Sequence, residues 1–430
     1  VTIVLTPEQQ GVFDAIEHTR DHLFVTGRAG TGKSTLLNHL AWHTSKQLVI
    51  AAPTGVAALN VGGQTIHSLF KLPIGVIGDA PIEQNGDVRK LLNKIDTLVI
   101  DEVSMVSADL MDAIDRSLRQ ARQRKNEAFG GVQLVMFGDP FQLAPVPPSD
   151  PDERAYFRDH YRSLWFFDAK VWQEAELRIH ALREIHRQHE DEFKNILTAV
   201  RYGQVTADMA NRLNTVGARP APADGTITLA SRNAQVSRIN AQNLERLPGA
   251  SMTANADISG EFGGRNFPAD ERLDLKVGAQ VMFLRNDSDG RWVNGSIGEV
   301  TRIDKTVYVE IDGDEHEVEP LVWEKLKYSY SPDTRELSRD VVGEFTQFPL
   351  RLAWAVTIHK SQGKTYDRAV VDLGARAFSP GQTYVALSRI RALDGLHLSR
   401  PLQPNDIFVD DNVLRFMKSV SAAAKQQQQG

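Results

Sequence analysis

The segment GRAGTGKS, residues 27–34, constrains this chain more than any other. Its spacing is glycine, four residues, glycine, lysine, serine, and both flanks agree with it. LFVT (23–26) reads as a short buried strand, and TLLNHLAWH (35–43) has the apolar spacing of a helix. Between such flanks the stretch Gly27, Ala29, Gly30, Thr31 and Gly32 can curl until its N–H groups converge on a phosphate, while the following helix aims its positive end at the same charge. Lys33 then suits the β and γ phosphates and Ser34 a magnesium ion, with Thr35 beside it on the first helical turn. Many folds share this loop. It specifies a nucleoside triphosphate with magnesium and nothing narrower.

A second stretch sharpens the chemistry. TLVIDEVSM (97–105) runs four strand-forming residues into paired acids, which places two carboxylates at the tip of a buried strand. Two acids there are costly unless a cation joins them. Asp101 suits magnesium and Glu102 the polarising of a water. QLVMFGDPFQL (133–143) is a further buried strand, and its loop offers Gln142, whose amide can register a γ-phosphate without competing for protons. Upstream, LTPEQQGVFDAI (5–16) predicts a helix starting at Thr6 or Pro7, with Gln9 on its first turn. Gln9 is either an adenine reader or a solvated helix residue.

Composition removes other classes. The 430 residues suffice for two to four domains, and the absence of cysteine excludes disulfides, thiolate metal sites and cysteine nucleophiles. A net charge of −6 argues against a broad basic face for duplex nucleic acid, yet leaves room for a narrow single-strand channel. No apolar run reaches the roughly 18 residues of a membrane span, and the first residues lack the pattern of a secretion signal. No membrane partner and a soluble intracellular setting are expected: cytoplasm or nucleoid in a bacterium, nucleus or mitochondrion in a eukaryote.

The remaining stretches carry the organisation. Pro53, Thr54 and Gly55 open a helix of small residues after a strand at 48–51, and TIHSLF (65–70) brings His67 and Ser68. In a parallel α/β domain these positions lie where ligands bind, so they are candidates for a phosphodiester backbone; for Thr54 the alternative is a helix cap. Residues 71–87 have the proline and glycine density of an excursion from the sheet. Ser107 caps a helix expected over 108–122, and an irregular aromatic stretch, 156–172, precedes a new unit that begins with a strand at 177–182. Arg187 follows that strand. His186 and His189 are not read as metal ligands, since they lack a third partner at suitable spacing. Asn233 stands at a strand-to-helix junction. Residues 270–345 alternate as short strands with turns between them, the pattern of a small antiparallel barrel inserted into the second α/β unit. The α/β pattern then resumes, with a polar loop from 357 to 365 and a helix that delivers Arg389. The glutamine-rich end reads as a disordered tail.

In order, LTPEQ, GRAGTGKS, APTGVAA, TIHSLF, IDEVSM, FGGVQLVMFGDPFQL, HRQ, TIHKSQG and TYVALSR resemble the motif series of superfamily 1 DNA helicases, most closely the Pif (petite integration frequency) family of superfamily 1B. The match runs from about residue 5 to 398. EVSMVSADLMDAID resembles the family's signature segment, and LKVGAQVMFLRN with VNGS its barrel insertion. His186 stands where the family commonly has Phe, Ser107 where Asp is common and Ala144 where Pro is common.

The resemblance implies an α/β fold of two RecA-like P-loop lobes, with a small insertion in the first and an SH3-like β-barrel in the second. Lobe 1A would comprise 1–70 and 88–175, a wedge 71–87, lobe 2A 176–269 and 346–420, the barrel 270–345 and the tail 421–430. It implies ATP and Mg2+ as cofactors, 5′ to 3′ movement on single-stranded DNA, and unwinding of duplex at single-strand junctions. Quadruplexes and RNA–DNA hybrids are further candidate partners, with roles in repair, recombination or telomere maintenance. A monomer that can dimerise on DNA is expected. Carried over by position, Gln9 reads adenine, while Lys33, Ser34, Asp101, Glu102 and Gln142 perform the chemistry. Arg187 and Arg389 act as arginine fingers. Pro53, Thr54, Gly55, His67, Ser68, Asn233, Thr357, His359 and Ser361 are the DNA-contact candidates, and Gln362 and Gly363 couple the two sites. An ATP-gated single-strand clamp without unwinding is the alternative.

Overall fold

The computed structural model describes residues 4–73, 75–79, 81–185, 187–188, 190–222, 225–262, 267–331 and 336–427. His186 and His189 lie outside them. The chain divides into two compact units, Val1–His186 with Lys325–Val342 and Asp410–Gly430, and Arg187–Glu324 with Gly343–Val409.

Unit 1 contains α1 (Pro7–His18), β1 (His22–Gly27), α2 (Lys33–His43), β2 (Leu48–Ala52), α3 (Gly55–Asn60), β3 (Gln64–Thr65), α4 (Ile66–Phe70), α5 (Gly86–Lys94), β4 (Thr97–Ile100), α6 (Ala108–Arg122), β5 (Gln133–Gly138), α7 (Pro151–His160), α8 (Lys170–Glu174) and β6 (Leu177–Leu182). Its six strands lie in the order β3-β2-β4-β5-β1-β6, with all pairs parallel. β4 and β5 are buried along their whole length, as parallel strands covered on both faces must be. Leu36, Leu37 and Leu40 of α2 pack with Val12 and Ile16 of α1 against Leu23, Val25, Val99, Val135 and Phe137 of the sheet.

Two expectations need correction. The strand at 177–182 does not open the second unit, because β6 pairs with β1 from His22↔Leu177 to Gly27↔Leu182 and closes the first sheet. The aromatic stretch before it is also not irregular. It forms α7, a turn of 3-10 helix at Phe166–Asp168, and α8.

Unit 2 contains α9 (Asp191–Tyr202), α10 (Ala207–Gly217), β7 (Ile227–Ala230), α11 (Asn233–Arg246), β8 (Met252–Asn255), β9 (Asp257–Gly260), β10 (Arg272–Leu275), β11 (Gln280–Phe283), β12 (Ile297–Ile303), β13 (Val307–Ile311) and β14 (Asp314–Val318). Then come β15 (Leu321–Ser331) and β16 (Glu336–Gln347), which cross the boundary between the units, followed by β17 (Leu350–Leu352), β18 (Ala355–Thr357), β19 (Ala369–Asp372), α12 (Gln382–Leu387) and β20 (Leu396–Leu398). A four-stranded parallel sheet has the order β18-β7-β19-β20. A five-stranded antiparallel sheet, β14-β13-β12-β11-β17, wraps a core of Val281, Phe283, Trp292, Val300, Val307 and Val309. Its last strand lies beyond residue 345, the expected limit of the insertion.

The last helix, α13 (Asp411–Gln427), belongs to unit 1. Helical structure therefore extends into the segment expected to be disordered. Phe416 on α13 stacks on Phe167 at 4.1 Å between centroids and meets Trp172 at 5.5 Å and Phe24 at 5.8 Å, while the Trp165 indole donates to Asp410 at 2.8 Å.

Candidate nucleotide and nucleic-acid sites

The first site grows from the tips of three neighbouring strands, β4, β5 and β1. With strands about 4.8 Å apart, the outer two tips stand about 10 Å from each other, the scale of a triphosphate with its metal. β1 ends at Gly27, where an added Cβ would lie 2.5 Å from Thr31 Oγ1 and 2.8 Å from the Leu182 carbonyl oxygen. Gly30 and Gly32 have φ values of 83° and 79°, a conformation that side chains resist, and Gly32 is the N-cap of α2. Ala29 and Thr31 are buried in the loop, and the Thr31 hydroxyl donates to the Arg28 carbonyl at 3.0 Å. Lys33 Nζ donates to the carbonyls of Gly27 and Arg28 at 2.7 and 3.0 Å, which holds the ammonium over the loop. Ser34 and Thr35 are exposed on the first turn of α2.

Gln9 is not a solvated helix residue. It is 4% exposed, its side-chain oxygen accepts from the Thr6 amide at 2.9 Å, and its side-chain nitrogen donates to the Gly32 carbonyl at 3.3 Å. The glutamine thus caps α1 and ties it to the phosphate loop.

At the tip of β4, Asp101 is half-buried and its amide donates to the Ala51 carbonyl at 2.9 Å. Burial first, and then the Glu102 charge, push its carboxyl well above the ordinary aspartate range, against the opposing pull of Lys33. Glu102 has a φ of 50°, unusual for a residue with a side chain. That conformation turns the chain sharply into a 3-10 turn, Val103–Met105. At the tip of β5, Asp139 is buried, its carboxylate accepts from the Phe141 amide at 3.2 Å, and its carbonyl accepts from the Gln142 amide at 2.9 Å. This turn presents Gln142, 6% exposed, beside the acids' sheet edge.

A carboxylate and a serine hydroxyl are hard oxygen donors of the kind magnesium takes. No cluster of three or more metal-ligating side chains occurs among the described residues.

Further along the same sheet edge, Thr54 caps α3 by accepting from the Ala57 amide at 3.2 Å, so the cap is realised. Pro53, Thr54, Gly55, His67 and Ser68 are all partly exposed, and burial holds the His67 imidazole below the ordinary histidine value. The excursion at 71–87 is gripped by α6: Asp109 accepts from the amides of Ile77 and Gly78 at 2.7 and 3.0 Å, and Gln84 donates to the Ser117 carbonyl at 2.8 Å. Two more acids at helical spacing serve other segments. Asp112 accepts from the Lys170 and Val171 amides, and Asp115 from Phe129. Sequence reasoning missed these three roles, although acids recurring every third residue on a largely buried helix were a visible signal.

In unit 2 the loop after β18 starts at Thr357, 5% exposed, whose hydroxyl accepts from the Lys360 amide at 3.2 Å. His359 stands exposed on this loop, its imidazole held below the ordinary histidine value by the neighbouring atoms that partly shield it from water. Ser361 is a correction. It is fully buried and its hydroxyl donates to the Ile358 carbonyl at 2.7 Å, so it shapes the loop rather than touching a strand. Gln362 has a side-chain nitrogen with no hydrogen-bond partner, and Gly363 has a φ of 76°. Asn233 is exposed at the first position of α11.

The two arginines lie together within this unit. Arg187 Nη1 and the Gln188 amide both donate to the Ser388 carbonyl at 3.2 Å, and Gln188 also reaches the Ile390 carbonyl at 3.0 Å. Arg389 is 2% exposed, with Nε on the Val385 carbonyl at 3.1 Å and Nη2 on Ser388 Oγ at 3.0 Å. Burial, and then the neighbouring Arg389 charge, lower Arg187 to about 9. Two guanidiniums packed side by side are suited to an anion.

Comparison with known proteins agrees with this geometry. Residues 4–211 match the PIF1-like helicase family and residues 264–303 the 2B domain of DNA helicase Pif1. An ATP-dependent DNA helicase Pif1 from Bdellovibrio bacteriovorus is 34% identical over 427 residues, covering 97% of this chain and 92% of the relative. Human ATP-dependent DNA helicase PIF1 is 34% identical over 428 residues, covering 96% of this chain and 63% of the human protein. Among solved structures, Pif1 from Bacteroides sp in complex with ADP-AlF4 has a TM-score of 0.91 at 38% identity, with 98% of each chain covered. Pif1 helicase from Candida albicans has a TM-score of 0.73 at 30% identity, covering 97% of this chain and 100% of that one. Sequence, fold and the phosphate-loop site agree along nearly the whole chain, which therefore belongs to the PIF1-like helicases, a family of ATP-dependent DNA helicases.

Proposed function

We propose that this protein hydrolyses ATP with magnesium to move 5′ to 3′ along single-stranded DNA and to separate duplex ahead of it. The observation that carries the chemistry is the convergence of Lys33, Asp101, Glu102 and Gln142 at three neighbouring strand tips. In this assignment Lys33 binds the β and γ phosphates and Ser34 and Asp101 hold the magnesium, which when bound offsets phosphate charge. Glu102 accepts the proton of the attacking water, and Gln142 senses the γ-phosphate. Arg187 and Arg389 supply charge to the transferring phosphoryl group, an effect worth about a thousandfold or more in rate. Gln9 fixes the loop and offers its remaining amide proton to adenine.

For nucleic acid, the support comes from relatives. Bacteroides Pif1 has been crystallised with single-stranded DNA, and a further structure concerns unwinding at forked duplex by two coordinating Pif1 helicases. Thr54, His67, Asn233, Thr357 and His359 are assigned to the strand, Gln362 and Gly363 to coupling, and the 71–87 excursion to the duplex-splitting wedge. Quadruplexes and RNA–DNA hybrids are the structured substrates to be tried after simple forks. No helix among the described residues is long and apolar enough to cross a membrane.

The deciding experiment is strand separation with ATP and magnesium on two matched duplexes, one with a 5′ tail and one with a 3′ tail. Opening of the 5′-tailed duplex alone is expected. Opening of the 3′-tailed one alone would overturn the polarity. Hydrolysis stimulated by single strands with neither duplex opened would point to a translocase or gated clamp.

A further inference from the structure

Arg389 is carried by a helix that cannot aim itself. α12 has six residues, after which Ser388 and Arg389 follow, and it is reached from β19 through a connection over residues 373–381. A helix of less than two turns keeps its direction through what holds its entrance.

That entrance is held by a later segment, residues 400–408. Arg400 Nε donates to the Gly374 carbonyl at 2.6 Å, and the Ala377 amide donates to the Asp406 carboxylate at 3.0 Å. The Gly381 amide reaches the Phe408 carbonyl at 3.4 Å, and on the first turn of α12 the Thr383 hydroxyl donates to the Asp406 carbonyl. Arg400 and Asp406 are themselves joined by two bonds, Nη1 to Oδ2 at 2.7 Å and Nη2 to Oδ1 at 2.8 Å. The Gln403 amide adds a further bond to Oδ2 at 2.8 Å. The Asp406 side chain is fully buried. Burial pushes its carboxyl up, but the Arg400 fork and the two amides outweigh that and hold it below the ordinary aspartate value. The pair is therefore charged at neutral pH.

Net stability is a poor reason for such a pair. Desolvation offsets much of the attraction, and apolar side chains of similar volume commonly serve as well. What the fork supplies is one arrangement, because a planar guanidinium on a carboxylate fits in a single geometry. Its two residues hold the connection at both ends: Gly374 and Ala377 after β19, Thr383 inside α12. Beyond them the helix passes that geometry on. The Arg389 guanidinium is braced on the Val385 carbonyl and Ser388 Oγ, so a tilt of α12 moves it too.

We propose that Arg400 and Asp406 are positioning residues for hydrolysis, which fix the entrance of α12 and through it the direction of Arg389. The inference rests on the arginine-finger assignment above.

The test is a double-mutant cycle on the full chain between Asp406→Asn and Arg389→Lys, read as kcat and KM for ATP at saturating oligothymidylate, with thermal melting alongside. Asparagine keeps the shape of aspartate but turns an amide donor toward Arg400. The expected result is a kcat lower by roughly ten- to a hundredfold with KM within about twofold of the parent, since a finger acts on the transferring phosphoryl group. In the Arg389→Lys background the same change should cost nothing further. Unchanged kcat in Asp406→Asn alone would overturn the proposal, and so would a raised KM with kcat kept. An equal loss of kcat in both backgrounds would also overturn it, because Asp406 would then act on general stability and not through Arg389. If Asp406→Asn fails to fold, Arg400→Lys enters the same cycle with the same expected outcomes, as it keeps the charge but breaks the fork and the bond to Gly374. Near-normal hydrolysis in Arg389→Lys alone would instead overturn the arginine-finger assignment and this inference with it, a result distinct from additivity.

Discussion

At the tips of the first parallel sheet the chain gathers negative charge and curls on glycine; the second unit instead sets two arginines together, Arg187 ahead of α9 and Arg389 behind α12, and closes the loop after β18 with hydroxyls. Asp101, Glu102 and Asp139 stand beside the phosphate loop in unit 1, whereas unit 2 has Arg187 and Arg389 side by side and no phosphate loop of its own. The two sheets share a parallel design, in which loops at strand tips are the variable part. What differs is the charge each sets out: carboxylates beside a glycine loop in unit 1 and guanidiniums in unit 2. Under the assignment proposed above, the first are the metal ligand and base and the second the arginine fingers.

The largest effects should come from removing each half in turn. Lys33→Ala is expected to lower hydrolysis about a thousandfold or more while single-strand binding is largely kept, measured by phosphate release and by anisotropy with a labelled oligonucleotide. Loss of both together would show that the loop lysine holds the fold or that the two functions are obligatorily joined. For Arg389→Lys a fall of about a thousandfold is also expected, because an ammonium keeps the charge but cannot form the planar fork. Near-normal hydrolysis in that variant would leave Arg389 as a packing residue of α12, with its bonds to Val385 and Ser388 as its whole purpose.

A smaller effect tests the frame around the first half. Phe416 reaches unit 1 from the last helix and lies among Phe24, Phe166, Phe167 and Trp172. It is half-buried, so Phe416→Ala should cost about 2–3 kcal/mol, below the 3–5 of a fully buried phenylalanine. Denaturant unfolding monitored by tryptophan fluorescence would read it, since Trp165 and Trp172 belong to the same cluster. A cost below about 0.5 kcal/mol would mean that α13 is not part of the unit's core.

These elements also show what can be read from sequence. The helix at Ala108–Arg122 was legible to the residue because its cap, Ser107, and its apolar spacing are local. So were the strand-to-loop placements of Lys33 and Asp101, which depend on a few neighbours. The partner of β6 was not legible: alternation identifies a strand but carries no information about the sheet it joins. The destination of α13 was hidden for the same reason, and the low complexity of its end masked its helical continuation. Gln9 shows a different limit. Its type and place marked it, but its bond to the Gly32 carbonyl depends on the approach of α1 to the phosphate loop.

The acid at the first sheet's tip adds a pH dependence of its own. Asp101 has a folded pKa raised above its unfolded value, so the folded protein holds the proton more tightly. Between those two values the native state carries more protons than the unfolded one, and stability falls as pH rises. The decline should begin near the ordinary aspartate value and level off above the raised one. Melting of the nucleotide-free protein across pH 4 to 9 should show it, and Asp101→Asn should flatten it. Magnesium with a non-hydrolysable ATP analogue should restore stability at the alkaline end, because the cation favours the charged carboxylate. An identical slope in the parent and the Asn variant would assign the pH dependence to other groups.

The finest comparison concerns two threonines in matching places. Thr54 follows β2 in unit 1 and Thr357 ends β18 in unit 2, and each hydroxyl accepts from the amide three residues on, at 3.2 Å in both cases. If their hydroxyls serve only as caps, Thr→Ser at either site should leave stability within a few tenths of a kcal/mol, and Thr→Ala should cost about 1 kcal/mol. A strand phosphate that also donates nothing to these oxygens can still receive the hydroxyl proton, which the cap does not use. Serine keeps that proton and alanine removes it. Single-strand affinity should therefore stay near the parent in the Ser variants and fall in the Ala variants, by several-fold at each tip. A fall at Thr357→Ala without one at Thr54→Ala would mean that only the second sheet's tip grips the strand, and that the first is confined to the nucleotide and its own helix cap.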